Sequence, residues 1–119
     1  MSRYEENDRL LERLIKFAED IIILCKNLPK NLINTRLIPQ LIDCSTSIGA
    51  NYSEACEAES AKDFIHKVKI VIKEIKETRF FLRLVLKSNI EYRDEITLRG
   101  KETVEFLKIF SKIASKFKK

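Results

Sequence analysis

Glycine and proline are nearly missing from this chain, with two of each among 119 residues. So few turn formers cannot supply the repeated tight turns of an all-β domain. Two glycines also cannot build a glycine-rich phosphate cradle or a nucleophile elbow, so no P-loop or hydrolase motif is present and an enzyme is not expected. Histidine occurs once, and the three cysteines, Cys25, Cys44 and Cys56, are odd in number and lack Cys-x-x-Cys spacing. Neither a disulfide framework nor a Cys/His zinc site fits that inventory, and a reducing cytoplasm is the expected compartment. Long apolar runs are missing too. The longest, residues 21–25, falls far short of the ~20 residues that span a bilayer, and residues 1–6 are polar and acidic. No membrane partner or export signal is expected.

What is present is helical spacing. Hydrophobic residues make up 45% and charged residues 34%, a balance that suits a folded chain rather than a disordered one. The length fits a single domain over residues 1–119. Over residues 7–28, Leu11, Leu14, Ala18, Ile21, Cys25 and Leu28 recur in steps of three and four, one face of an amphipathic helix. Residues 27–31, with Pro29, form a breaker. A second helix is predicted to begin between Asn34 and Ile38, with Pro39 tolerated near its start, and to end before Ser60. Its stripe is Leu37, Leu41, Cys44, Ile48, Asn51, Ala55 and Ala58. Ser60 with Asp63 reads as a capping box that opens a third helix, whose stripe is Phe64, Val68, Val71, Ile75, Thr78, Leu82 and Val85. Ser88 with Glu91 reads as another, ahead of Ile96, Gly100, Thr103, Leu107, Phe110, Ala114 and Phe117. Four comparable amphipathic segments with short connections predict an all-α fold, an antiparallel up-down-up-down four-helix bundle.

Apolar residues also stand outside these stripes: Ile15, Phe17, Ile22, Ile23 and Leu24 on the first segment, Ile65, Ile70 and Ile72 on the third, Phe106, Ile109 and Ile113 on the fourth. A wide core face would use some of them. A second buried surface between subunits is the reading favoured here, because large exposed apolar patches are uncommon on monomers.

Specific strings carry a resemblance. They are Ser47-Ile48-Gly49-Ala50-Asn51-Tyr52-Ser53-Glu54-Ala55, then Ser60-Ala61-Lys62-Asp63-Phe64-Ile65-His66-Lys67-Val68-Lys69-Ile70, then Lys73-Glu74-Ile75-Lys76-Glu77-Thr78-Arg79-Phe80-Phe81-Leu82, preceded by Leu28-Pro29-Lys30. In order and separation they resemble the 23S rRNA intervening sequence protein family, over nearly the whole chain and most strongly over residues 40–86. The resemblance implies a bacterial four-helix bundle that assembles into homopentamers, with no assigned activity and no cofactor. The chain is also similar to the accessory protein of diversity-generating retroelements, a pentameric bundle that partners a reverse transcriptase and nucleic acid. It departs from the family pattern at Cys56, where glycine is frequent, and at Phe80-Phe81, in the neighbourhood of a frequent tryptophan.

Charge is unevenly placed. Residues 1–60 hold 7 Lys and Arg against 10 Asp and Glu, whereas residues 61–119 hold 16 against 8, which together give the net +5. Along the third helix Lys62, His66, Lys69, Lys73, Lys76, Arg83 and Lys87 share one three-and-four register, broken only by Phe80, on the side opposite the apolar stripe. Like charges at i,i+4 cost a helix a few tenths of a kcal/mol, so local stability does not account for this ridge, although Lys73 with Glu77 offsets part of the cost. A solvated face is one account of it. A phosphate-contacting surface for RNA or DNA is the other, extended by Lys112, Lys116, Lys118 and Lys119 and driven by charge and shape.

Ser47, Asn51 and Glu54 place a hydroxyl, an amide and a carboxylate on one helical strip, read as structural specification of helix register and partner number rather than a ligand site. Glu54, Glu57, Glu59, Asp63 and His66 invite a metal reading, but di-metal bundles need Glu-x-x-His from two helices and the chain has one histidine. No catalytic residue and no metal ligand is assigned. The expectation is a non-enzymatic, homo-oligomeric bundle that binds nucleic acid or ribonucleoprotein. The alternative is a scaffold whose outer apolar residues dock a protein such as a polymerase.

Overall fold

Helices account for nearly all of residues 3–117, the part of the chain that the computed structural model describes. They are α1 (Arg3–Asn27), α2 (Leu32–Cys56), α3 (Ala61–Ser88) and α4 (Arg93–Ser115), with a 3₁₀ turn at Ile90–Tyr92 leading into α4. No strand occurs among the described residues. Each helix approaches its two neighbours in the cycle α1–α2–α3–α4, and among the described residues the diagonal pairs make no close backbone contact. That is the up-down-up-down arrangement, drawn out to 46 × 26 × 19 Å by helices of 23 to 28 residues.

The apolar stripes meet along the axis. Leu14 and Ile21 from α1, Leu41 and Ile48 from α2, Val68, Val71, Ile75, Leu82 and Val85 from α3, and Ile96 and Phe110 from α4 are all buried. Burying side chains of this size contributes about 1.5–3 kcal/mol each relative to exposure. Two threonines share the stripes. The Thr78 hydroxyl donates to the Glu74 carbonyl at 2.8 Å and that of Thr103 to the Gly100 carbonyl at 2.6 Å, so neither brings an unpaired hydroxyl into the core.

The core face is wider than one stripe. Phe17, Leu24 and Phe106 are buried, and Ile65, Ile70, Ile72, Ile109 and Ile113 are half-buried. Ile15, Ile22 and Ile23 on α1 remain exposed. The bundle therefore consumes part of the apolar surplus and leaves an outward patch on α1.

Helix boundaries differ from the sequence expectation at two junctions. The second helix begins at Leu32 rather than between Asn34 and Ile38, because Asn31 caps it: its side-chain oxygen accepts the Asn34 N–H at 2.8 Å. Pro39 consequently lies inside α2, two turns from its start, where it removes the hydrogen bond to the Thr35 carbonyl instead of occupying a first-turn position. Ser88 with Glu91 is not a capping box. Ser88 ends α3 with its hydroxyl on the Val85 carbonyl, and α4 follows the 3₁₀ turn with no side-chain cap. At the other end of α3 Ser60 caps the helix as expected, its hydroxyl accepting the Asp63 N–H at 3.1 Å with the Asp63 carboxylate in the first turn.

The α1–α4 seam has the sparsest backbone approach of the four, and long side chains close it. Phe17 and Phe106 meet edge to face at 5.4 Å between centroids, and the Arg13 guanidinium lies 5.0 Å from the centre of the Phe106 ring. Beside them Arg99, only 8% exposed, reaches across to Asp20 at 2.8 Å. At the end of the bundle that carries the α1–α2 and α3–α4 connections, Asn34 and Asn89 are both buried. Each donates its amide to the other's side-chain oxygen at 2.8 Å.

Candidate functional site

The α3 register faces solvent along its whole length. Lys62, His66, Lys69, Lys73, Lys76, Arg83 and Lys87 are all exposed, while Val68, Val71, Ile75, Leu82 and Val85 on the opposite side of the same helix are buried. Amphipathicity forces this arrangement: once the apolar stripe seats in the bundle, a register half a turn away has nowhere to point but outward. From Lys62 to Lys87 the ridge spans about 38 Å at 1.5 Å per residue. Among the described residues only Lys73 of the seven makes an ion pair, with Glu77 at 3.9 Å. Glu74, beside the ridge, is half-buried, and burial with the adjacent Glu77 raises its carboxyl above the ordinary range against the pull of Lys73.

The C-terminal end of α4 lies beside the start of α3, where the Phe64 and Phe117 rings meet at 5.5 Å between centroids, tilted by 50°. Lys112 and Lys116 are exposed there, one helical turn apart, near the end of the ridge that carries Lys62. Lys118 and Lys119 lie outside the described residues.

Ser47, Asn51 and Glu54 do not form one hydrogen-bonded group. The Ser47 hydroxyl donates to the Asp43 carbonyl at 2.7 Å and the Asn51 amide to the Ser47 carbonyl at 2.8 Å, both within α2. Glu54 instead reaches α3, where Lys67 donates to it at 3.2 Å. Asp63 sits at the start of α3 and His66 stands in the ridge. Of the thiols, burial pushes Cys25 up to about 11 and also raises Cys44, whereas Cys56 is exposed at the end of α2.

Two surface features escaped the sequence reading. One is a groove of about 250 Å³ between α3 and α4, floored by Leu82, Leu86, Ile96 and Val104 and rimmed by Arg79, Arg83 and Lys101. Gly100 opens it, since a Cβ there would meet nothing within 4 Å. The other is a shallow depression of about 460 Å³ on α3 itself, formed by Ile72 and Phe80 with Lys69, Lys73, Lys76 and Glu77 around them. The only sequence signal for the second was the aromatic break in the ridge at Phe80; the first depends on how α4 docks on α3, which no local pattern encodes.

No helix among the described residues is long and apolar enough to cross a membrane. No curated protein matches the chain. Among solved structures, it is similar to a protein of unknown function from the S23 ribosomal protein family of Bacteroides thetaiotaomicron, seen in a crystal structure. That match has 31% sequence identity and a TM-score of 0.79, covering 87% of this chain and 96% of the other. The family model for the 23S rRNA-intervening sequence protein matches residues 6–112, the whole of α2 and α3 and most of α1 and α4. With its bundle, its four helices and that match in agreement, the chain belongs to the 23S rRNA-intervening sequence protein family.

Proposed function

We propose that this protein is a non-enzymatic binding protein that contacts the phosphate backbone of nucleic acid, alone or within ribonucleoprotein, through the outer face of α3. The observation that carries the reading is the ridge: seven basic positions exposed on one face, six of them without an ion pair among the described residues. A face whose task was solubility alone would interleave both signs, which stabilises a helix where a run of one sign strains it. Phosphates supply the missing counter-charge, and the counterions they release make binding fall steeply with salt.

Charge reversal tests it. The triple variant Lys69→Glu, Lys73→Glu, Lys76→Glu is expected to bind RNA and DNA at least ~100-fold more weakly at low salt. The slope of log affinity against log salt should become shallower by about 2 to 3, one phosphate contact per lysine removed. The three positions are exposed, so the fold is expected to persist, as circular dichroism checks. Affinity and slope unchanged by the reversal would refute the proposal.

The protein is also proposed to act as a homo-oligomer. Ile15, Ile22 and Ile23 are 40%, 42% and 57% exposed on one side of α1, an apolar patch of the kind that subunit contacts cover. Light scattering at micromolar concentration is expected to give a multiple of the 14.0 kDa chain mass, and a mass near 14.0 kDa would sink this part of the reading. The same patch favours the second reading, a scaffold that docks a protein such as a polymerase. A protein partner that stays bound after nuclease and high salt would support it.

A further inference from the structure

Phe80 is the one ridge position that is not basic, and it is 57% exposed. Leaving a phenyl ring in water on a lysine-rich face costs the bundle whatever apolar burial it could have had, and no packing need keeps it there. Its neighbours give it a purpose. Phe81 meets the Phe80 ring edge to face at 5.2 Å and 83° and is itself half-buried against the core, so the exposed ring has an anchored support. Together with Ile72 it floors the depression of about 460 Å³ that Lys69, Lys73 and Lys76 rim. Glu77 also stands there, but it is engaged by Lys73 at 3.9 Å, which leaves Lys69 and Lys76 as the free cations of the rim among the described residues.

From this geometry we infer that the ridge selects single-stranded nucleic acid, with an unpaired base stacked on Phe80 and the flanking phosphates held by Lys69 and Lys76. The inference rests on the nucleic-acid reading above and narrows its ligand. A duplex keeps its base faces inside the stack and presents only phosphates and groove edges to a convex helix. It can use the lysines but not the ring. An unpaired strand can use both, because every base has a face to stack and flexible phosphates to place beside it. One aromatic ring stands among cations along a single register, which gives such a strand both a face to stack on and charges for its phosphates.

The test uses the full-length protein with two probes, an oligo-dT of about 16 nucleotides and a duplex of matching length. Phe80→Ala is expected to weaken oligo-dT binding by about 10-fold or more while leaving duplex binding within about twofold. The chain contains no tryptophan, so Phe80→Trp installs a single indole at the proposed platform. Its fluorescence is expected to be quenched by oligo-dT and not by the duplex, with single-strand affinity kept or raised. Equal losses for both probes, no loss with either, or an indole blind to bound oligo-dT would overturn the single-strand inference while leaving the phosphate-contact reading standing. A change in molar mass on Phe80→Ala would also overturn it, by assigning the ring to a contact between copies. Binding of neither probe by the wild-type protein would remove both readings together.

Discussion

Arg99→Ala is expected to lower the free energy of unfolding by about 3 kcal/mol, the scale on which breaking a buried ion pair from one side is felt. The reason lies in how many carboxylates one guanidinium serves at the α1–α4 seam. Arg99 Nη1 lies 2.8 Å from Asp20 on the facing helix and is also paired with Glu102, while its Nε is 3.3 Å from Glu95. Lys16 supports Asp20 at 2.7 Å but is itself largely in solvent, so it cannot replace a cation that is only 8% exposed. Removing the guanidinium leaves Asp20 and Glu102 close together and partly desolvated. The exposed Arg13–Glu105 pair at 3.6 Å offers little compensation. Urea unfolding should show a lower midpoint with an unchanged slope. Arg99→Lys should recover only a fraction, because an ammonium cannot present the planar fork that meets three partners at once.

The loss should also depend on pH in a definite direction. Burial raises the Glu102 carboxyl above the ordinary range, with the Arg99 charge opposing and Asp20 and Glu105 adding to the rise. A carboxyl raised in the folded state favours folding when it is protonated, and that contribution is lost as pH climbs through its folded value. Without Arg99 the larger opposing pull is gone, only the weaker one of Arg13 is left, and the rise grows. The Arg99→Ala deficit is therefore expected to be larger near about pH 7 than near about pH 4, where Glu102 takes up its proton. A deficit of equal size at both would show that the arginine acts through the packing of its stem, not through charge.

Neither Arg99 nor its role was legible in the sequence, whereas the bundle was. The distinction is one of range. The stripe from Phe64 to Val85 and the ridge from Lys62 to Lys87 are relations among residues three and four apart, and helical geometry alone converts them into an inward face and an outward face. Arg99 stands between Leu98 and Gly100 with nothing local to mark it as buried; its burial follows from Asp20, 79 residues earlier, lying opposite. The start of α2 was missed for a related reason, whereas that of α3 was read at Ser60. An asparagine two residues after a proline reads as turn material, and whether Asn31 turns the chain or caps a helix depends on one bond to the Asn34 N–H. Once that cap is set at Asn31, Pro39 falls inside the helix, and the apolar period, which has no marked origin, could not have said so. The α3–α4 groove belongs with Arg99, since Arg79, Arg83 and Lys101 gather only when two helices have docked.

Asn89→Ala is expected to cost about 2 to 3 kcal/mol, more than a surface hydrogen bond would suggest, because its partner cannot turn to water. Asn34 is 1% exposed and Asn89 4% exposed. Beyond their reciprocal bonds, Asn34 donates to the Pro29 carbonyl at 2.8 Å and Asn89 to the Val85 carbonyl at 2.8 Å. The pair thereby ties the α1–α2 connection to the end of α3, elements 55 residues apart in sequence that share one end of the bundle. Truncating either amide strands a buried donor and a buried acceptor on the other. The two single variants should consequently be non-additive: Asn34→Ala with Asn89→Ala together should destabilise less than the sum of the separate losses by about 1 to 2 kcal/mol, measured as a double-mutant cycle in urea. Replacing both by leucine should recover part of what the alanine pair loses, by filling the site with apolar volume. It should not recover all of it, since the Pro29 and Val85 carbonyls would still lose the amide protons they accept. Strict additivity of the two alanine variants would mean that each amide matters only to its own loop, and that this end of the bundle is closed by the core beneath it rather than by the pair.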